Sequence, residues 1–142
     1  MATPGYVFSD VVEFERALSN AAARTDPEAA RDRVASLEYA LTLYTGDLLQ
    51  EDGPAEFVAS ERHRLRSAAA SAAVGLAEDY VALGDSVKAD IAAHRAVDLN
   101  PYQDRPWWIM VDIREKAGDM SAAEHVRLDH RRVQEELGLV ES

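Results

Sequence analysis

Four side chains in this sequence carry the widest chemical range: His63, His94, His125 and His130. A helix that binds a metal offers two ligands four residues apart on one face. His125 and Asp129 have that spacing, but no third ligand stands near them, so no metal site is expected. His130 falls on an apolar stripe, which reads as a half-buried packing histidine. The 142 residues include no cysteine. That removes disulfides, thiol nucleophiles and thiolate metal ligands, and it fits a reducing cytoplasm. No serine or threonine sits in a nucleophile-elbow pattern and no glycine-rich phosphate loop is present. The carboxylates are scattered over solvent faces instead of converging. The expectation is a protein with no enzymatic activity, no cofactor and no metal.

What remains is binding. Arg62-His63-Arg64-x-Arg66 is either a solvated face on an acidic protein or, more sharply, a contact for an acidic partner segment. Arg127, Arg131 and Arg132 stand near Glu135 and Glu136, and local ion pairs account for them. Trp107 and Trp108 are adjacent, so they cannot share one helix face. Trp107 is expected in the core. Trp108 is expected to line an inner groove with Ser71, Val74 and Glu78 on one helix and Arg105, Asp112, Glu115 and Lys116 on its own. An exposed aromatic flanked by mixed charge is a partner anchor; the plainer alternative packs Trp108 on a neighbouring helix. The formal net charge of -11 repels phosphate backbones, so this stretch is not expected to hold nucleic acid by itself. With 47% hydrophobic and 29% charged residues, the composition is that of one globular domain. No apolar run is long enough to cross a bilayer and no signal-peptide pattern opens the chain, so no membrane partner is expected.

These residues need a scaffold, and the sequence repeats one. Gly84-Asp85 and Gly118-Asp119 are 34 residues apart, as are Ala89 and Ala123, with Asn100-Pro101 between. A helical hairpin turning at glycine, followed by proline before the next hairpin, is the 34-residue tetratricopeptide pattern. Leu76, Ala77, Tyr80, Ala89, Ala93, Ala96 and Pro101 fall at its signature positions, as do Trp107, Met110, Gly118 and Ala123 in the next unit. One hairpin cannot bury its apolar face alone, so neighbouring helices must stack on it. The expected fold is all-α, a tetratricopeptide-like superhelix of about six helices.

The other helices are set by their caps and stripes. Asp10 with Glu13 opens the first, with Val11, Phe14, Leu18 and Ala21 as its apolar face. Tyr6-Val7-Phe8 before it reads as a short terminal strand. Asp26-Pro27 opens the second, striped by Ala30, Val34, Leu37, Leu41 and Tyr44, and Gly46 stops it. Gly46-Asp47 begins a degenerate repeat: Leu48-Leu49, the acidic Gln50-Glu51-Asp52, then Gly53-Pro54. Pro54 opens a long helix to about Leu83 with Val58, Leu65, Ala69, Ala72, Leu76 and Tyr80 on one face. Asp85 or Ser86 caps the next, which ends at Asn100 before Pro101. Asp104 and Pro106 begin a helix ending at Gly118. The capping box Ser121-x-x-Glu124 begins the last, which carries Ala123, Val126, His130, Val133 and Leu137 and stops at Gly138. Leu139-Val140 comes after that stop.

Three stretches in this order resemble a known family: Asp10-x-x-x-Phe14-Glu15, Leu43-Tyr44-x-Gly46-Asp47-Leu48-Leu49, and Glu135-Glu136-Leu137-Gly138. Between them stand Glu61-Arg62-x-x-Leu65, Leu83-Gly84, and Asn100-Pro101 followed by the helix through Met110. The chain is similar, from about Gly5 to Ser142, to the bacterial transcriptional activator domain of Streptomyces antibiotic regulatory protein-type regulators. The family places this module after a winged-helix DNA-binding domain, and Gly5-Tyr6-Val7 resembles that domain's last strand. The resemblance implies residues 1–9 as a terminal linker and 10–142 as the activator-like domain. It also implies a non-catalytic, cytoplasmic module for dimerisation or protein contact. The implied partners are a second copy, RNA polymerase or a regulatory domain, with DNA reached only through a further domain. The alternative is a free-standing cytosolic adaptor that takes a partner's peptide or helix. Two positions depart from the family: Arg127 stands where an aromatic is common in the last helix, and Phe57 where tryptophan is frequent.

Overall fold

A computed structural model describes residues 3–45 and 55–141, with side chains at 11–44 and 59–138. Among the described residues six helices succeed one another: α1 (Thr3–Ala22), α2 (Ala30–Thr45), α3 (Ala55–Ala82), α4 (Ser86–Leu99), α5 (Asp104–Lys116) and α6 (Met120–Glu141), with a 3-10 turn at Pro27–Ala29 before α2. The described residues contain no strand. Each helix packs mainly on the next, giving three antiparallel hairpins, with α3 also meeting α5 across them. This is the expected helical-hairpin superhelix.

The core is made largely of alanine. Ala69, Ala73 and Ala77 on α3 face Ala89, Ala93 and Ala96 on α4, all without solvent contact. Residues this small let two helices approach closely, and the alanines also favour the helix itself. Larger side chains fill the spaces between hairpins: Phe14, Leu41, Leu65 and Met110 are fully buried. The apolar stripes read from the sequence are therefore the buried faces.

The two Gly-Asp pairs form matching turns. Gly84 has φ 83 and Gly118 φ 82, the left-handed conformation that glycine adopts without a Cβ penalty. The N–H groups of Gly84 and Asp85 donate to Val81 and Tyr80 at 3.0 and 2.9 Å; those of Gly118 and Asp119 donate to Glu115 and Arg114, both at 2.9 Å. Each closes its helix in a Schellman turn. The aspartate then caps the following helix: Asp85 accepts from the Lys88 N–H at 3.1 Å, and Asp119 from the Ala122 N–H at 3.0 Å.

Several local expectations are corrected. Residues 6–8 are helical, because α1 begins at Thr3; Pro4 sits in its first turn, where a missing N–H is harmless. Asp10 is therefore inside α1 and not its cap. Asp26 has extended backbone but makes no side-chain capping bond. Asp119 displaces the Ser121–Glu124 capping box, which falls within α6. Gly138 does not stop α6, which continues to Glu141; among the described glycines, only Gly84 and Gly118 have the positive φ of a glycine-closed turn. Gly46 to Pro54, the side chains of Val58 and Phe57, and those of Leu139-Val140 lie outside the described residues.

Tyr80 joins α3 to α2 by donating its phenol to the Glu38 carboxylate, while the Lys88 ammonium lies 5.8 Å from its ring centre. Burial, reinforced by the Glu38 bond and charge, pushes the Tyr80 phenol up to about 12, against about 10 for a free tyrosine. The protonated phenol thus stabilises the fold below pH ~10, and that contribution disappears as the pH climbs through ~12. Tyr80 should ionise late in a phenolate-absorbance titration, and Tyr80→Phe should delete that late step. A late step that survives the substitution would place the buried phenol elsewhere.

Candidate functional site

Six of the eight residues expected to bind a partner divide between two surface depressions. The first is a groove of about 520 Å³ where α3, α5 and α6 meet. Arg105, Trp108, Asp112 and Glu115 line it from successive turns of α5. The second is a cleft of about 640 Å³ between α1, α2 and α3, and it takes Ser71 and Glu78. Glu78 links the two, because its Oε2 accepts from Arg105 Nε at 2.6 Å. Val74 is partly buried against the core. Lys116 is paired with Asp112 at 3.0 Å.

Trp108 is 48% exposed and Trp107 only 6%, as adjacent positions on a half-buried helix require. Trp107 donates from Nε1 to the Pro101 carbonyl at 2.8 Å, which fixes the indole against the turn entering α5. His130 lies between the two indoles. Its ring stacks on Trp107, 5.3 Å between centres and 14° between planes, and meets Trp108 edge-on at 5.0 Å and 88°. His130 Nε2 is 2.9 Å from the Asp104 carboxylate. The expected packing histidine is thus 4% exposed, and it also ties α6 to the start of α5. Trp108 keeps one edge on that ring and turns the rest of its surface to the groove.

The charges around the groove are matched pairwise. Arg127 bonds to Glu115 and, at 3.2 Å, to Glu124. Arg114 binds Asp90 on α4 at 2.8 Å, with His94 at 3.4 Å. The pairs formed by the cluster of Arg127, Arg131 and Arg132 go to Glu115, Glu124 and, from Arg132, to Asp129 at 3.6 Å. They do not go to Glu135 and Glu136. Sequence periodicity alone missed Val81, Ile109, Val111 and Arg127 as groove residues. The spacing 71, 74, 78, 81 on α3 was the available signal for Val81.

In the basic run Arg62-His63-Arg64-x-Arg66, Arg64 and Arg66 are engaged within the chain. Arg64 bonds to Glu61 at 2.7 Å and to Glu15 on α1. The hydrogen bond from Arg64 holds the Glu61 carboxyl below its ordinary range, and the two carboxylates raise the Arg64 guanidinium. Arg66 donates to the Leu99 and Asp98 carbonyls at 2.8 and 3.1 Å, satisfying the otherwise open end of α4. His125 and Asp129 are exposed on α6, and among the described residues no three His, Asp or Glu side chains gather as metal ligands. No described helix is long and apolar enough to cross a membrane.

A family model, that of the bacterial transcriptional activator domain, matches residues 9–141. No curated protein and no solved structure matches the chain significantly.

Proposed function

Because the chain belongs to the bacterial transcriptional activator domain family, we propose that it serves transcription by binding another protein and not by catalysis. The family is a regulatory one. The observation that carries the reading is Trp108, half exposed on a groove whose charged side chains are ion-paired. A large aromatic with its back supported by His130 offers contact area at little cost in conformational freedom. The partner is a second copy of the chain, RNA polymerase or a regulatory domain, and DNA is reached through a further domain.

Fused to a heterologous DNA-binding domain and assayed on a reporter in bacteria, the domain should lose at least about fivefold in output with Trp108→Ala, the scale of a ~1 kcal/mol anchor. The melting temperature of the variant should stay within a few degrees of the parent. Sedimentation of the isolated chain separates self-association from polymerase contact. Unchanged reporter output with Trp108→Ala would overturn the groove as the binding face.

A further inference from the structure

The cleft between α1, α2 and α3 contains a glycine that the fold does not need. Gly75 sits in the middle of α3, where glycine costs roughly 1 kcal/mol relative to alanine. Its φ is not positive, and a Cβ added there would meet only Leu37 Cδ1 at 3.6 Å, ordinary contact. Neither backbone conformation nor close packing calls for the missing side chain. What its absence provides is open volume in the cleft, above a floor that includes Leu18, Ala21, Leu37 and Ala72. At about 640 Å³, the cleft is within the size range of small-molecule sites.

Its polar rim is made of ion pairs, of which one is largely buried. Arg33 grips both Asp79 oxygens at 2.9 to 3.2 Å and donates to the Arg24 and Asp26 carbonyls at 2.8 and 2.7 Å. That network ties the turn before α2 to α3 and holds the walls. The charge of Glu78 is compensated by Arg105. Arg24 pairs with Asp32 at 2.9 Å, with 51% and 65% of the two side chains exposed; the Arg105–Glu78 pair is similarly exposed, at 59% and 42%, but its cation lines the other depression. Such a pair contributes little, so the Arg24 guanidinium can exchange Asp32 for an incoming anion while Asp32 returns to water. On a chain of net charge -11, this is a cation at the mouth of an apolar cleft with its neighbours already neutralised.

We infer that this cleft is a binding site for a small apolar molecule carrying one carboxylate, with the apolar body over Gly75 and the anion on Arg24. The site is separate from the Trp108 groove and stands whether or not that groove binds protein. Pyrenebutyrate is the probe, with pyrenebutanol as its neutral counterpart, followed by fluorescence titration of the 142-residue chain. The acid should bind saturably, one per chain. Gly75→Leu, which fills the cleft, should weaken it more than about tenfold. Arg24→Gln should weaken the acid about fivefold and leave the alcohol unchanged. Arg24 is exposed and only its backbone carbonyl holds Arg33, so this second variant is informative even if Gly75→Leu fails to fold. Circular dichroism checks both. No saturable binding, equal affinity for acid and alcohol, or wild-type binding by a folded Gly75→Leu chain each overturns the inference. Binding of an acidic apolar peptide but not of pyrenebutyrate would reassign the cleft to a protein partner and overturn it too.

Discussion

Trp107→Ala should cost the domain about 4 kcal/mol and lower its melting temperature by roughly 10 °C, while Trp108→Ala should cost less than about 1 kcal/mol. The residues are neighbours in sequence and opposites in environment. Trp107 is buried, donates to the Pro101 carbonyl at 2.8 Å and stacks on His130. Truncating it opens a cavity, strands that carbonyl and removes the plane against which His130 is held. Two elements, α5 and α6, lose their common support. Trp108 loses only an edge contact. Urea unfolding of the two variants checks the contrast, and comparable losses would mean that the helix is rotated from the orientation described.

Asp79→Ala should cost about 3 kcal/mol, the low end of the range for removing one partner of a buried ion pair, because its side chain keeps 12% exposure and that of Arg33 17%. Arg33 would retain its bonds to the Arg24 and Asp26 carbonyls but lose the carboxylate it grips. The pair raises the Arg33 guanidinium first by the hydrogen bond to Asp79, and it connects the α1–α2 turn to α3. Replacing both residues with apolar ones of similar volume should recover most of the loss. A double-mutant cycle by urea unfolding measures the coupling; strict additivity of the single losses would deny the clamp any role in stability.

The helices were legible because their signals are local. Ala69, Ala73, Ala77, Ala89, Ala93 and Ala96 recur at helical spacing, and Gly84 and Gly118 sit where only a left-handed residue closes the turn. The ends were less so. Asp119 and Ser121 both look like caps, and only the three-dimensional turn after Gly118 decides for Asp119. Gly138 has the composition of a stop without the conformation. The candidate site was legible along α5, where one helix face gathers Arg105, Trp108, Asp112 and Glu115. It was not legible across helices. Ser71 belongs to the other depression, and Arg127 enters the groove from α6 through its bond to Glu115. The Arg66 bonds to α4 and the Arg33 clamp on Asp79 join positions 32 to 46 residues apart, a distance no periodicity reports.

The matching turns at Gly84 and Gly118 have a consequence for how the gene can change length. The two have the same glycine conformation and the same pair of closing hydrogen bonds, and they lie 34 residues apart, so the chain repeats its hairpin closure at that step. Duplicating one such block adds a step and leaves every flanking interface in phase. A single residue inserted inside α3 or α5 instead turns everything beyond it by about 100° about the helix axis, throwing the alanine faces out of alignment. Whole-unit duplications are therefore compatible with this architecture, while one-residue insertions within its helices are not.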